Sequence, residues 1–321
     1  MRLDRSVFDL DYAAEVSRIN ALLQATIVHT WHRKGGVVAM SGGIDSSVVA
    51  ALAVRALGKD RVLGLFLPER DSSPESLELA KLVADQLGIE TVTQDIAPAL
   101  EALGCYRVRN DAVRRTVPEY TPDCKFSIVL PGNRLDSKAL NFFSVMVELP
   151  DGQRIKKRLG LHEYLSIVAA TNFKQRTRKM IEYFHADRLN YAVLGTPNHL
   201  EYDLGFFVKG GDGLADIKPI AHLYKTQVYG LAEYLNVPAT VRARPPTTDT
   251  YSLSQSQEDF YFALPYNLMD LFLYAKSHGL SPAEAGAELG YTEEQARWVY
   301  WDIDQKRSYA QYLHESPILL T

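Results

Sequence analysis

Val37-Val38-Ala39-Met40-Ser41-Gly42-Gly43-Ile44-Asp45-Ser46-Ser47 is the stretch that decides how this chain folds. Its first four residues form a short apolar strand. From Ile44 to Leu57 the apolar residues Val48, Val49, Leu52 and Val54 recur at helical spacing. The small residues between strand and helix let backbone N–H groups approach an anion, and the helix start adds the positive end of its dipole. Ser41, Ser46 and Ser47 can add hydroxyl donors. Asp45 is an odd neighbour for phosphate unless a cation sits between them, which points to Mg²⁺. An ordinary strand-to-helix turn is the alternative, but one glycine would usually serve it. The run has neither a Gly-Lys-Ser/Thr ending nor a G-x-G-x-x-G spacing.

Outward from this loop, strands and helices alternate. A helical pattern runs from Asp11 to about Arg33, and Val62 to Leu67 forms a second buried strand ending at Pro68. Ser73-Pro74 opens a helix with proline in its first turn, and Thr91-Val92-Thr93 is a third strand. This order predicts a doubly wound parallel sheet with ligands at the carboxyl ends of its strands. The rhythm breaks between about Gly104 and Leu161. There Phe126 to Leu130 reads as a strand, and Asn141–Leu149 and Gln153–Leu159 flank the hairpin signal Pro150-Asp151-Gly152. Arg107, Arg109, Arg114 and Arg115 cluster on a helix, read as a solvated face, with an anion-binding or subunit-contact surface as the alternative. A long helix from His162 to Arg188, a strand from Tyr191 to Leu194 and a mostly helical region after Asp216 complete the chain.

The composition excludes several classes. With 46% hydrophobic and 23% charged residues, the 321-residue chain is neither wholly disordered nor fibrous. Thirty-five Lys and Arg against 39 Asp and Glu, a net charge of -4, give no support to coating nucleic acid. Cys105 and Cys124 lack metal-ligand spacing, and no apolar run is long enough to span a bilayer. A soluble cytoplasmic protein is expected. The tail from Ser281 to Arg307 reads as helix–turn–helix, but Glu293, Glu294, Asp302 and Asp304 favour a packing unit over DNA recognition.

The loop resembles the SGGxDS motif of the PP-loop ATP pyrophosphatases. Further segments are similar to those of ammonia-dependent NAD synthetases: Asn172-Phe173-Lys174-Gln175-Arg176-Thr177-Arg178, Gly195-Thr196-Pro197-Asn198-His199-Leu200-Glu201, Gly205 to Asp216, Leu223 to Val228, and Arg244-Pro245-Pro246-Thr247-Thr248-Asp249. Pro197 and His199 stand where the family usually carries Gly and Lys. The resemblance implies a Rossmann-like, adenine nucleotide alpha hydrolase-like α/β fold with a helical C-terminal region and a central α+β insertion. The expected division is 1–103 and 162–250 for the synthetase fold, 104–161 for the insertion and 251–321 for the helical region.

It also implies the chemistry. ATP would convert the nicotinate carboxylate of deamido-NAD into an acyl adenylate, and ammonia would displace AMP. Ser41, Gly42, Gly43, Asp45, Ser46, Ser47, Thr196, Lys225 and Thr247 would hold ATP, and Asp45 and Glu201 would hold Mg²⁺. Asn172, Arg176, Phe206, Phe207, Lys209, Asp212 and Asp216 would hold deamido-NAD. Asp45, Lys225, Thr247 and Asp212 would carry catalysis, Asp212 by guiding or deprotonating ammonium. A homodimer with the dinucleotide near the subunit boundary is expected, without membrane or nucleic-acid partners. Free ammonia is expected as the nitrogen source, because only 40 residues precede the loop and they contain no cysteine for an amidase. Without the resemblance, plainer readings stay open. Lys225 could decorate a helix start, Glu201 could be a solvated acid and Thr247 a helix cap. Asn172 and Arg176 could be surface neighbours, Phe206 and Phe207 core residues, and Asp212 a turn former. Amidation of another carboxylate, or a tRNA-modifying enzyme of the same superfamily, is the alternative function.

Overall fold

The computed structural model describes residues 2–129, 143–246, 250–253, 261–262 and 264–320. Helix α1 (Tyr12–Leu23) continues with π-helical geometry through Gln24–Thr30. Strands β1 (Gly36–Ala39), β2 (Val62–Phe66) and β3 (Glu90–Thr93) alternate with helices α2 (Ile44–Leu57) and α3 (Pro74–Leu87). With β7 (Ala192–Val193), which pairs with β1, these strands form a parallel sheet in the order β3-β2-β1-β7. The chain adds strands on one side of β1 and then crosses to the other, so the carboxyl ends of β1 and β7 flank a switch point.

Period-two alternation explains how the central strands are buried on both faces. Val38, Phe66 and Leu194 pack with α1, α2, α3 and α8 (Lys225–Tyr234). Val37, Leu65 and Val193 pack on the opposite face against α4 (Ala97–Ala102), α5 (Cys105–Thr116) and α6 (Leu161–Leu189). The polar strand β3, exposed at three of its four positions, closes one edge.

The expected hairpin is present. β5 (Ser144–Glu148) and β6 (Arg154–Arg158) are antiparallel, and β4 (Lys125–Val129) pairs with β5. Leu130 and Asn141, at the outer ends of two predicted strands, lie outside the described residues. Gly152 takes a φ of 85° in the turn, where the Asp151 carboxylate accepts the Gln153 N–H at 2.9 Å. At 29 residues, α6 is about 43 Å long. Its Ile167 enters the core of this small sheet, while Ile181 and Ala186 enter that of the large one.

The solvated reading of the arginine cluster fails at one residue. Arg109 is buried, pairs with Asp71 and lies over the rings of Tyr106 and Phe126 at 5.2 and 5.1 Å. Arg114 and Arg115 do make exposed pairs, with Asp111 and Glu163.

Helices α7 (His199–Leu204), α10 (Tyr266–Ser277), α11 (Pro282–Leu289) and α12 (Glu293–His314) share another core around Phe272 and Ile303. Short α9 (Ala239–Ala243) precedes the Pro245-Pro246 break. Among the described residues, no helix is long and apolar enough to cross a membrane.

Candidate active site

Gly42 takes a φ of 76°, and a Cβ there would lie 2.2 Å from the Ser76 carbonyl of α3. No side chain fits, so the first turn of α3 can close on the loop. Ser41 Oγ accepts the Gly43 N–H at 3.3 Å, and Ser46 Oγ accepts the Ser41 N–H at 3.3 Å. The hydroxyls of Ser46 and Ser47 both donate to the Gly43 carbonyl, at 3.1 and 2.8 Å. Gly42→Ala is expected to weaken nucleotide binding more than tenfold and cost about 1 kcal/mol or more of stability. ATP titration by calorimetry and chemical unfolding check both, and unchanged affinity in the folded variant would count against the cradle.

Asp45, in the first turn of α2, receives two donors from the far side of the switch point. Lys225 Nζ donates to its Oδ2, and Asn198 Nδ2 donates to Oδ1 at 3.0 Å. Lys225 is 1% exposed and opens α8, whose first turn is held by Asp270 of α10 through the Thr226 N–H and hydroxyl at 2.8 and 2.7 Å. Burial opposes the charge on Lys225, but Asp45 and Glu201 outweigh it and hold its pKa above the usual value. Asn198 also caps α7, accepting the Glu201 N–H at 3.1 Å, while a Glu201 carboxylate oxygen accepts the Asn198 N–H at 3.2 Å. Burial first, and Asp45 second, push the Glu201 carboxyl up to about 8. The plainer readings of Lys225 and Glu201 therefore fail: both face Asp45.

Asp45, Glu201 and Lys225 line a cavity of about 1180 Å³ at the carboxyl ends of β1, β2 and β7. Ser41, Gly43, Asp45 and Ser46 come from the loop, Thr196 and Glu201 from the stretch after β7, and Lys225 from α8. Asn172 and Arg176 enter from α6, and Phe206, Phe207, Lys209 and Asp212 from the glycine-rich segment. Phe206 stacks on Tyr261 at 4.7 Å and so serves the helical core as well as the wall. The Arg176 guanidinium donates to the Lys209 carbonyl at 3.2 Å, while Lys209 donates to the carbonyls of Tyr312 and Glu315. Asp212 accepts the Val208 N–H at 2.7 Å, and burial raises its pKa.

Gly42, packed against the Ser76 carbonyl, does not line the cavity, and two expected side-chain ligands are turned elsewhere. Asp216 accepts the Val193 N–H at 2.7 Å and the Tyr183 hydroxyl at 3.1 Å, so it pins the end of β7 and does not line the cavity. The Ser47 side chain is buried against Gly43 and likewise lies off the cavity. Thr247 lies outside the described residues.

Pattern reading missed the buried pair Lys179–Glu182, 2.6 Å apart on α6 and lining the cavity. Burial raises the Glu182 carboxyl despite Lys179. It also missed Lys174, whose ammonium donates to Glu69, Asp71 and the Thr250 carbonyl. The available signal was polar residues on both faces of α6, a helix too long and too packed to leave them all in solvent.

A parallel sheet with an anion cradle after its first strand and a carboxylate–lysine cluster at the switch point defines a nucleotide-binding α/β protein. The NAD synthase family profile matches residues 15–116 and 139–312. The ammonia-dependent NAD⁺ synthetase of Mesorhizobium japonicum is 58% identical over 97% of both chains. That of Rhizobium rhizogenes is 51% identical over 99% of this chain and 96% of its own. Among solved structures, an NMN synthetase from Francisella tularensis superposes with a TM-score of 0.68 at 23% identity, covering 97% of this chain and 99% of its own. The ammonia-dependent NAD synthetase of Campylobacter jejuni gives 0.63 at 21%, covering 97% and 100%. The chain belongs to the NAD synthase family, and its fold is the Rossmann-like adenine nucleotide alpha hydrolase fold.

Proposed function

We propose that this chain is a ligase that amidates the nicotinate carboxylate of deamido-NAD with ammonia at the expense of ATP. The observation that carries the reading is the cluster of Asp45, Asn198, Glu201 and Lys225 beside the glycine cradle, in a member of this family. A carboxylate oxygen of the substrate attacks the α-phosphorus of ATP and pyrophosphate leaves. Ammonia then attacks the acyl carbon, AMP leaves and the nitrogen loses a proton. Catalysis is mostly positioning and charge neutralisation. Lys225 faces the charge that builds as pyrophosphate departs. Asp212, a cavity-lining carboxylate whose pKa burial raises, would take the proton from ammonium. Arg176 and Asn172 hold the dinucleotide, with Phe206 and Phe207 as its apolar wall.

Two carboxylates with room for substrate phosphates suit Mg²⁺, which keeps water and phosphate ligands instead of an all-protein cage. The raised Glu201 carboxyl fits this, since a cation relieves its repulsion from Asp45. Asp45 and Glu201 would hold the ion, which supplies neutralisation of phosphate charge when bound. Glu201 must give up its proton to act as a ligand. Apparent Mg²⁺ affinity is therefore expected to rise about tenfold per pH unit and level off above about pH 8. Titration of Mg²⁺ against rate from pH 6 to 9 checks this, and a flat profile would remove Glu201 from the metal site.

The deciding assay supplies ATP, Mg²⁺, ammonium and deamido-NAD, with mass spectrometry of the product. Conversion of one carboxylate to an amide is expected. Nicotinic acid mononucleotide and glutamine serve as competing substrate and donor, and preference for either would overturn that part of the reading.

A homodimer and a cytoplasmic setting complete it. Leu165, Met180 and Phe184 are exposed along one stripe of α6 that also carries Arg176, so a second copy seated there would adjoin the dinucleotide site. Met180→Glu is expected to yield monomers in sedimentation and to raise KM for deamido-NAD. A fully active wild-type monomer would contradict the dimer. Both cysteines are free and buried, which suits a reducing compartment.

A further inference from the structure

Residues 250–253 lie at the cavity rim, with Thr250 and Tyr251 in its wall, yet their anchors belong to the central insertion. The Phe126 N–H of β4 donates to Ser252 Oγ at 3.0 Å, and the Leu253 N–H donates to the Phe126 carbonyl at 3.0 Å. The Tyr251 ring is 4% exposed and packs edge-on against Phe126, 5.5 Å between centroids, inside the core of the small sheet. From below, Lys174 donates to the Thr250 carbonyl at 2.7 Å.

That lysine is shared. It also donates to Glu69 at 2.8 Å and Asp71 at 2.6 Å, both in the loop that follows β2. Neighbours in this loop, Leu67, Ser72 and Ser73, form the cavity wall beside the glycine cradle. The insertion helix α5 reaches the same carboxylates: Arg109 pairs with Asp71, and the Tyr106 hydroxyl donates to Glu69 at 2.8 Å. Two acids and two bases, each at most 7% exposed at the side chain, form a neutral buried cluster. Burial works against the charge on Asp71, but Lys174 and Arg109 overcome it and hold its pKa below the usual range.

A buried ion cluster gains little stability over apolar packing of the same volume. Its directional bonds instead fix where two loops stand relative to each other. We infer that the insertion is a brace for the nucleotide half of the site: it clamps residues 250–253 and the loop after β2 against α6, with Arg109 and Lys174 as positioning residues. The inference rests on the proposed ATP-dependent reaction. Arg109 does not line the cavity, so its effect must pass through the loops it holds.

The test uses the full chain and compares Arg109→Met, Arg109→Lys, Ser252→Ala and the surface control Arg115→Ala. Amide hydrogen exchange is read over 250–253, together with separate KM values for ATP and ammonium. Arg109→Met is expected to raise exchange at 250–253 and to raise KM for ATP at least tenfold, with KM for ammonium within twofold. Arg109→Lys should recover part of the loss, and Arg115→Ala should match wild type. Should Arg109→Met fail to fold, Ser252→Ala decides, with a three- to fivefold rise in KM for ATP expected. Faster exchange with an unchanged KM for ATP, equal changes in both KM values, or a wild-type Ser252→Ala would each overturn the brace. A wild-type chain that releases no pyrophosphate with deamido-NAD would instead fail the proposed reaction, and calorimetric ATP binding by the same variants would still test the brace.

Discussion

Asp45→Asn is expected to slow pyrophosphate release about a thousandfold, the scale on which a single preorganised electrostatic group acts, while leaving the protein folded. The substitution keeps the shape and removes the charge. Asn198 and Lys225 donate to different oxygens of Asp45, so the one carbonyl oxygen of asparagine keeps one of these bonds and its NH2 faces the other donor, while Lys225 keeps Glu201 as a counter-charge. The lost negative charge is the one that would let the proposed site hold a cation beside the phosphates. Removing it also takes away the second cause of the raised Glu201 carboxyl, which should fall from about 8 toward its ordinary range. Pyrophosphate release under single-turnover conditions, with circular dichroism of the same sample, reads both halves. A folded variant with wild-type release would end the assignment.

Lys225→Met should be at least as damaging to turnover, by about three orders of magnitude, and should also destabilise the protein. Methionine fills similar space but leaves Asp45 and Glu201 facing each other without a cation. Taking one partner from a buried ion pair typically costs about 3–5 kcal/mol, and the Lys225 and Asp45 side chains are only 1% and 16% exposed. The cost depends on pH in a defined direction. Glu201 already titrates near 8 when folded against an ordinary 4.5, and it rises further without the ammonium. A carboxyl raised in the folded state favours folding while protonated, so its contribution is whole below about 4.5 and lost as pH climbs through 8. Wild type and variant share this loss up to about pH 8, so the stability gap between them should stay level from pH 5 to about 7.5 and widen only as pH passes 8. Thermal unfolding across that range, without added Mg²⁺, measures it. A gap independent of pH would mean that Glu201 does not feel Lys225.

Strand β1, the cradle and α2 were legible from a dozen residues, because each signal there is local. An apolar run, two glycines and a 3.6-residue period depend on neighbours in the chain, as does the turn at Asp151-Gly152. Motif likeness likewise placed Asn172, Arg176, Glu201 and Lys225 in one site, and all four line one cavity. Arg109 and Asp216 went the other way. Arg109 read as a solvated charge because nothing nearby in sequence is its partner; Asp71 is 38 residues away and reaches it only through the packing of α5 beside the loop after β2. Asp216 stands in a motif with cavity residues, yet the bridge between Leu194 and Ile217 turns its carboxylate onto the Val193 amide. Lys174 shows the same limit, with acceptors 105, 103 and 76 residues distant. Propensity and periodicity act over a few residues, so they specify elements and loops. Whether a charge ends in water, in substrate contact or in a buried pair depends on which distant charge folding brings to it, and only the packed structure decides that.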